Sequence, residues 1–251
     1  MRVLSIDWDF FQDVSIDTLK ECYPDGYDSP TALSEIIWGN RYASYGEEIE
    51  AVTLLKDDYK AITSILLAQN KNCPVMIANS HLYAYNFVLD NMKEQGAEKI
   101  RLTNIDMHHD LINSNPDVDC GNWIGKLAEQ KLFEQNGFKW INNKVSFEMF
   151  GFNKKVGNKE IDTKFRTLVN AIDGGNSVSA LKGEKYDAIF LARSDIWSPP
   201  HLDPYFSKLI DDIRKHFKSV ICSKEVVLPR TDYIDIAEQT KKVLKDCYER
   251  E

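Results

Sequence analysis

The sequence predicts an α/β protein of three layers, in which a mostly parallel β-sheet is flanked by helices. Short runs of β-branched and apolar residues alternate with longer stretches in which apolar residues recur every three to four positions. This alternation is typical of a parallel sheet that is covered on both faces. The chain has 251 residues, of which 43% are hydrophobic, so we expect one domain over residues 1–251 with a full apolar core.

These patterns place the individual elements. The predicted strands cover residues 2–6, 74–78, 99–104, 139–142, 187–192 and 219–223. The predicted helices cover residues 47–68, 84–95, 122–135, 204–217 and 233–248. Residues 21–46 are rich in Tyr, Gly, Asp and Trp without a clear period, which predicts a long structured insertion of the kind that lines binding sites. Polar stretches at 153–164 and 173–177 predict a surface excursion within the same domain.

Charge and cysteine content narrow the classes of function. The formal net charge is −8 and the sequence pI is about 5.2, which argues against a general binder of nucleic acid or of anionic membranes. The five cysteines include no C-x-x-C pair, so neither a zinc knuckle nor a disulfide framework is expected. No stretch has the composition of a signal peptide or the length of a membrane span. We therefore expect a cytoplasmic protein.

The densest cluster of chemically active residues is Asp106-Met107-His108-His109-Asp110, which follows a predicted strand. In an extended chain, side chains two residues apart project to the same side, so Asp106, His108 and Asp110 would converge. The carboxyl ends of parallel strands open into the crevice where ligands bind. The segment therefore predicts metal ligands, although clusters of acids and histidines also arise on loops without a function.

Two further strand ends carry residues of the same kind. Asp7 and Asp9 follow the first predicted strand and would share one side of an extended chain, with Trp8 on the other. His81 lies just beyond the predicted strand at 74–78. The alternative is that these residues are solvated acids and a structural histidine at ordinary strand ends.

Together the three segments offer four carboxylates, two imidazoles and no thiolate, from Asp7, Asp9, His81, Asp106, His108 and Asp110. Oxygen-rich sets of this kind suit manganese, iron(II) or cobalt better than structural zinc. Two divalent ions about 3.5–4 Å apart would lower the pKa of a shared water molecule and direct it at an electrophilic carbon. We expect two Mn²⁺ ions per chain.

The same motifs resemble those of the arginase and ureohydrolase superfamily. Residues 106–110 (DMHHD) are similar to its D-x-H-x-D signature, and residues 79–81 (NSH) resemble the G-G-D-H segment that supplies its upstream metal histidine. Residues 5–9 (SIDWD) resemble its S-x-D-x-D segment, and residues 120–125 (CGNWIG) resemble its S-G-N-L-H-G. The chain is most similar in character to the atypical peptide arginases, which convert arginine side chains to ornithine in ribosomally made peptides.

The resemblance implies an arginase-like fold and hydrolysis of a guanidinium group with release of urea. The family's D-x-D segment follows its D-x-H-x-D segment, whereas residues 5–9 precede residues 106–110, so we expect a rewired strand order. Residues 192–197 (ARSDIW) occupy the family's usual position for D-x-D but offer one acid. The assignment of the two acids at residues 5–9 as ligands depends on this rearrangement.

The resemblance also implies roles for residues outside the metal ligands. Ile124 stands where the family has a histidine that shuttles protons, which leaves proton transfer to Asp110, to His109 or to water. No residue matches the family's guanidinium-binding glutamate, and the candidates for this role are first Asp195 and then Glu225. The remaining candidates for substrate binding are Asn113 and Asn122.

The linker at residues 111–119 favours a peptide substrate over free arginine. In arginases the corresponding residues hold the α-amino and α-carboxylate groups of free arginine. Here the linker carries Asp117 and Asp119, which would repel an α-carboxylate and attract basic residues that flank an arginine in a peptide. The aromatic-rich residues 23–45 could form a groove for the peptide. The alternative is that these acids are solvated and the loop only covers the sheet edge.

Three other functions stay open on the sequence alone. The first is a ureohydrolase that acts on free arginine, agmatine or a related small molecule. The second is a phosphohydrolase of the haloacid-dehalogenase type, with Asp7 as nucleophile and Asp9 as general acid; this leaves residues 106–110 unexplained. The third is a metal-binding protein without catalysis, which the absence of a histidine at Ile124 would favour.

Overall fold

The computed structural model describes residues 1–23, 30–111, 115–149, 177–223, 226 and 229–248. Its strands are β1 (Arg2–Asp7), β2 (Gln12–Asp13), β3 (Thr53–Leu54), β4 (Val75–Ala78), β5 (Ile100–Asp106), β6 (Phe133–Asn142), β7 (Ala188–Ala192) and β8 (Val220–Cys222). Its helices are α1 (Ile16–Cys22), α2 (Thr31–Glu50), α3 (Lys56–Leu67), α4 (Leu82–Gln95), α5 (Trp123–Glu129), α6 (Ser146–Met149), α7 (Asp203–His216) and α8 (Asp232–Tyr248). Short 3-10 helices cover Trp8–Phe11, Val178–Leu181 and Pro200–Leu202.

Six of the described strands form one parallel sheet in the order β6-β5-β1-β7-β4-β8. β1 and β7 lie inside the sheet, and their residues are almost entirely buried. Continuous apolar runs are expected in such strands, because helices cover both faces. The short strands β2 and β3 form a separate antiparallel pair.

Two apolar clusters, one on each face of the sheet, define the three layers. One cluster contains Val3 of β1 together with residues of α4 and α5. The other contains Leu4 and Ile6 of β1 together with residues of α1, α2, α3, α7 and α8. Neighbouring residues of β1 therefore point into different layers, as the period of two in a strand requires. The predicted three-layer α/β class with a parallel sheet is confirmed.

The predicted helix at 47–68 and the predicted insertion at 21–46 are both wrong in part. α2 covers much of the insertion and ends at Glu50, and the rest of the predicted helix is split between β3 and α3. The cause is a tertiary contact: Leu54 pairs with Gln12, and the Leu55 N–H donates to the Phe11 carbonyl at 2.8 Å. The period of α2 is obscured because its buried face includes Ser34 and Arg41 beside its aromatic residues.

The predicted helix at 122–135 is too long, since α5 ends at Glu129 and β6 begins at Phe133. Lys131 adopts a left-handed backbone with φ of 58°, which ends the helix and turns the chain into a strand. Residues 153–164, and residues 173–176 of the second predicted surface stretch, lie outside the described residues. None of the described helices combines the length and the apolar composition that crossing a membrane requires.

Candidate metal centre

Three strand ends meet at the carboxyl edge of the sheet. β1 ends at Asp7 and the adjacent β5 ends at Asp106. His81 lies between the end of β4 and the start of α4. Because parallel strands place their carboxyl ends at one edge, residues far apart in sequence come together there, and all three of these side chains are buried.

His81 faces three carboxylates at once. Its Nδ1 lies 3.1 Å from Asp7 Oδ2, 3.1 Å from Asp106 Oδ2 and 3.2 Å from Asp110 Oδ2. None of these contacts has the geometry of a hydrogen bond, and the atom is fully buried. The other ring nitrogen, Nε2, lies 2.7 Å from Ser5 Oγ. If Nε2 carries the ring proton, it donates a hydrogen bond to this oxygen. Nδ1 would then present a lone pair to the three carboxylates, an arrangement that fits a cation between them.

His108 forms a second, similar arrangement. Its Nδ1 lies 2.8 Å from Asp9 Oδ2 and 3.7 Å from Asp106 Oδ1. The Asp9 and Asp106 side chains are fully buried, whereas the His108 side chain is 16% exposed. The indole of Trp197 lies against the His108 ring, with 5.0 Å between their centroids. The second arrangement therefore has contact with solvent at His108.

Asp106 belongs to both arrangements. Its Oδ2 faces His81 and accepts a hydrogen bond of 3.0 Å from Asn104 Nδ2. Its Oδ1 faces His108 and accepts a hydrogen bond of 2.7 Å from the His108 N–H. Asp7, His81 and Asp106 form one group whose donor atoms lie within 4.8 Å of one another, and Asp9, Asp106 and His108 form another. These buried Asp and His groups could hold a metal ion, and we call them together the metal centre.

The residues that follow β1 and β5 do not continue as the extended chain that was expected from the sequence. Residues 8–11 form a 3-10 helix, in which the Asp7 side chain accepts a hydrogen bond of 3.0 Å from the Asp9 N–H. Asp7 and Asp9 therefore face different histidines and do not share one side of a strand. Trp8 is buried against Phe11 and Phe206.

The segment after β5 also leaves the extended conformation. β5 ends at Asp106, and Asp110 adopts a left-handed backbone with φ of 53°. Asp110 lies outside the two groups around Asp106, but its Oδ2 contacts His81 and accepts a hydrogen bond of 2.6 Å from Trp123 Nε1. Trp123 thereby joins the start of α5 to the metal centre.

The electrostatics of the metal centre are those of a site with excess negative charge. In the ion pairs of the part of the chain that the structure describes, its carboxylates have only histidine partners. Burial, and then the charge of Asp7, raise the pKa of Asp9 well above its usual value. Burial would lower the pKa of His81, but its contacts with Asp106, Asp110 and Asp7 raise it well above the usual value. A bound divalent cation would offset this repulsion.

The other candidate for proton transfer, His109, is buried beside the metal centre. Its Nδ1 accepts a hydrogen bond of 3.0 Å from the Leu111 N–H, and its ring packs edge-on against Trp140. Burial, and then the charge of His108, lower the pKa of His109 to about 4. Ile124 is fully buried in the apolar cluster that contains residues of α4 and α5.

Two of the four candidates for substrate binding are described, and neither belongs to the metal-capable groups. Asp195 is buried, with both of its oxygens bonded to the Arg193 guanidinium and one also to Thr31 Oγ1. The Asn122 amide binds the preceding loop, since it accepts from the Asp119 N–H at 2.8 Å and donates to the carbonyls of residues 117 and 115. Asn113 and Glu225 lie outside the described residues.

Sequence reasoning did not assign three residues that contact the ligands. Ser5 contacts His81, Ser194 Oγ donates to Asp7 Oδ2, and Trp197 packs on His108. Ser5 lies in the same SIDWD motif as Asp7, two residues earlier on the strand. The motif could therefore have indicated that Ser5 lies at the site. Ser194 and Trp197 follow β7, the strand between β1 and β4 in the sheet, and only the strand order brings them to the metal centre.

No protein-family model, no curated protein and no solved structure matches the chain.

Proposed function

We propose that the protein is a hydrolase that uses two divalent metal ions, preferably Mn²⁺, to convert arginine side chains in peptides to ornithine with release of urea. The observation that carries the two-metal proposal is the Asp106 carboxylate. One of its oxygens faces His81, which also contacts Asp7, and the other faces His108, which also contacts Asp9. A carboxylate that faces two donor groups in this way is suited to bridging two ions.

The donor set also supports the choice of metal. Carboxylate and imidazole ligands without thiolate favour Mn²⁺, iron(II) or cobalt. We assign Asp7 and His81 to one ion, Asp9 and His108 to the other, and Asp106 to both. Bound divalent ions would supply Lewis acidity and a nucleophile generated from water.

Proton transfer is assigned to Asp110 first and to His109 second. Asp110 Oδ2 lies 3.2 Å from His81 Nδ1, so this carboxylate reaches the metal centre, and the Trp123 indole fixes its direction. His109 is adjacent in sequence but has its Nδ1 engaged by the Leu111 N–H. We expect Asp110→Asn to reduce turnover more than His109→Gln.

The choice of arginine as substrate rests on the motif resemblance, and the preference for a peptide rests on charge. Asp117 is exposed on the loop before α5, whereas Asp119 is half-buried and its side chain accepts a hydrogen bond from the Gly121 N–H. Asp117 is therefore the acid that would meet a basic residue next to the reacting arginine. The same charge would disfavour the α-carboxylate of free arginine.

Metal analysis followed by a urea assay tests the proposal. Manganese-loaded protein should contain close to two metal equivalents per chain. It should release urea from an arginine that is blocked at both ends and from an arginine within a peptide, with a higher kcat/KM than for free arginine. Mass spectrometry of the peptide should show arginine converted to ornithine at the same rate.

The alternative functions give different results in the same assays. Equal or faster turnover of free arginine or agmatine would replace the peptide substrate with a small molecule. Two bound metals without release of urea from any guanidino compound would contradict the catalytic proposal. A protein that binds no divalent metal would contradict the proposal as a whole.

A further inference from the structure

The metal centre opens to solvent on one side. The side chains of Asp7, Asp9, His81, Asp106 and Asp110 are at most 4% exposed, whereas that of His108 is 16% exposed. Because His108 has the most accessible of these side chains, we take the substrate to approach the metals past its ring. Residues that border His108 are in a position to select the substrate.

Trp197 borders His108. The two ring centroids lie 5.0 Å apart at an interplanar angle of 58°, and Trp197 is half-buried, so the residue is partly accessible beside His108. The indole is a large aromatic surface, and aromatic faces attract planar cations.

The backbone holds Trp197 in this place. Its N–H donates to the Ser194 carbonyl at 2.9 Å, and its own carbonyl accepts a hydrogen bond of 2.8 Å from Gln12 Nε2. The same Gln12 nitrogen donates to the Asp9 carbonyl at 3.0 Å. The Trp197 backbone is therefore fixed relative to the segment that supplies Asp9, and the indole lies against the His108 ring.

The chemistry of the opening favours an aromatic residue over an acid for binding a guanidinium group. The nearby carboxylates face His81 and His108, and Asp195 is bonded to the internal guanidinium of Arg193. An additional carboxylate at the opening would compete with the substrate for metal ions. An indole attracts a planar cation without binding the metals.

We propose that Trp197 is a specificity-determining residue, whose indole face stacks on the guanidinium-bearing side chain of the substrate beside His108. This inference rests on the proposed function, because it takes the substrate to be a guanidino compound. Trp197 would select a planar cation over a neutral group of the same shape. It would also keep water from the reacting group on that side.

Binding measurements with two matched ligands test this role. The probes are the N-acetyl amides of arginine and of citrulline, which have similar shape but differ in charge. Calorimetry compares manganese-loaded proteins with Trp197, Trp197→Phe and Trp197→Leu, each also carrying Asp110→Asn so that hydrolysis of the arginine compound is slow and the heat reports binding. Tyr205→Leu, which removes an exposed aromatic residue with no part in the metal centre, is the control.

We expect Trp197→Leu to weaken binding of the arginine compound by about 5- to 30-fold, the range that a cation–π contact of ordinary strength supports. Binding of the citrulline compound should change less, Trp197→Phe should have an intermediate effect, and Tyr205→Leu should have none. Metal content should equal that of wild type in all variants. If Trp197→Leu loads less metal, the comparison rests on Trp197→Phe, which should still bind the arginine compound more weakly than wild type.

The outcomes separate this inference from the proposed function. Wild type that binds the arginine compound while both Trp197 variants bind it equally well would overturn the role of Trp197 and leave the function standing. Equal weakening for both ligands would overturn selection by charge. Metal-loaded wild type that binds neither compound would overturn the proposed function together with this inference.

Discussion

Two buried clusters of charged residues lie side by side at the carboxyl edge of the sheet, and they differ in charge balance. The metal centre contains three carboxylates and two imidazoles, and a further carboxylate, that of Asp110, contacts its His81. The second, which we call the arginine–aspartate cluster, consists of Arg193, Asp195, Asp203 and Arg230. Ser194, which stands between Arg193 and Asp195 in the sequence, donates its hydroxyl to Asp7 and so connects the two clusters.

The charges of the arginine–aspartate cluster are balanced by its own side chains. Arg193 Nε lies 2.5 Å from Asp195 Oδ1. Arg230 donates to Asp203 through Nε at 2.9 Å and through a terminal nitrogen at 2.5 Å. Two guanidinium groups thus neutralise two carboxylates. Such a cluster needs no ligand, because each buried charge has a partner of opposite sign.

The metal centre lacks an equivalent supply of positive charge among the side chains that the structure describes. Burial disfavours the negative charge of Asp9, and repulsion from Asp7 adds to this, so the pKa of Asp9 is raised. Burial of charged groups alone therefore does not indicate a site, since both clusters are buried. The lack of a permanent positive partner is what distinguishes a metal-capable group from a structural ion-pair network.

The largest expected effect is the loss of metal on Asp106→Asn. Because Asp106 faces both histidines, this one change should weaken both metal positions, by at least the 10- to 100-fold that even indirect contacts contribute. Elemental analysis and titration with manganese measure the loss. Asp7→Asn should weaken metal binding beside His81 more than metal binding beside His108. An Asp106→Asn protein that keeps two metals would contradict the bridging assignment.

A change in the arginine–aspartate cluster should affect stability and leave metal binding intact. Arg230→Met leaves Asp203 buried without its bidentate partner, which should cost about 3–5 kcal/mol of unfolding free energy. The control is Arg2→Met, since Arg2 pairs with Glu184 at the surface and should contribute less than about 1 kcal/mol. Denaturant unfolding of the metal-free proteins gives both values. Loss of metal from folded Arg230→Met would remove the distinction between the clusters.

The metal-capable residues and most of the parallel sheet could be predicted from the sequence, whereas β2, β3 and the first part of β6 could not. A strand that is buried on both faces must be apolar throughout, so β1 and β7 are visible as short runs with few polar residues. Asp7, His81 and Asp106 are then candidate metal ligands, because each stands just beyond such a run. Their convergence follows from the parallel arrangement, in which carboxyl ends share one edge.

The division of the ligands between two histidines could not be predicted. It depends on the 3-10 helix at residues 8–11 and on the left-handed backbone of Asp110, which a pattern of period two does not contain. The role of Ser194 depends on β7 lying between β1 and β4, and hence on strand order. β3 forms only because Leu54 meets Gln12, a pairing between distant residues that overrides local helical propensity.

A smaller effect is expected from Ser5→Ala. Ser5 Oγ lies 2.7 Å from His81 Nε2, so it fixes the ring and leaves Nδ1 toward the carboxylates. Its removal should weaken metal binding about 10- to 100-fold, as is usual for a residue that orients a metal-bound histidine. Ser34→Ala is the matched control, because Ser34 is equally buried but bonds to the Thr31 carbonyl within α2. Equal affinities in the two variants would contradict an orienting role for Ser5.

The smallest effect concerns His201, a histidine that forms ordinary neutral hydrogen bonds. Its Nε2 lies 2.8 Å from the Val52 carbonyl, which can only accept, so this nitrogen carries the proton and Nδ1 accepts from the Tyr42 hydroxyl at 2.6 Å. Burial lowers the pKa of His201, and the charge of Arg230 lowers it further. The Val52 contact and the charges of Glu50 and Asp203 raise it but do not cancel the effect of burial.

Because the pKa of His201 is lower in the folded protein than in the unfolded chain, protonation favours unfolding. Its contribution to stability is complete above a pH of about 6.5, the usual histidine pKa, and is lost as the pH falls through the lowered pKa of the folded state. At pH 8 His201→Gln should lose less than about 1.5 kcal/mol, the net value of one hydrogen bond. The difference between wild type and variant, measured by denaturant unfolding from pH 8 to pH 5, should shrink as the pH falls. A difference that grows toward acid pH would show that His201 is protonated in the folded protein.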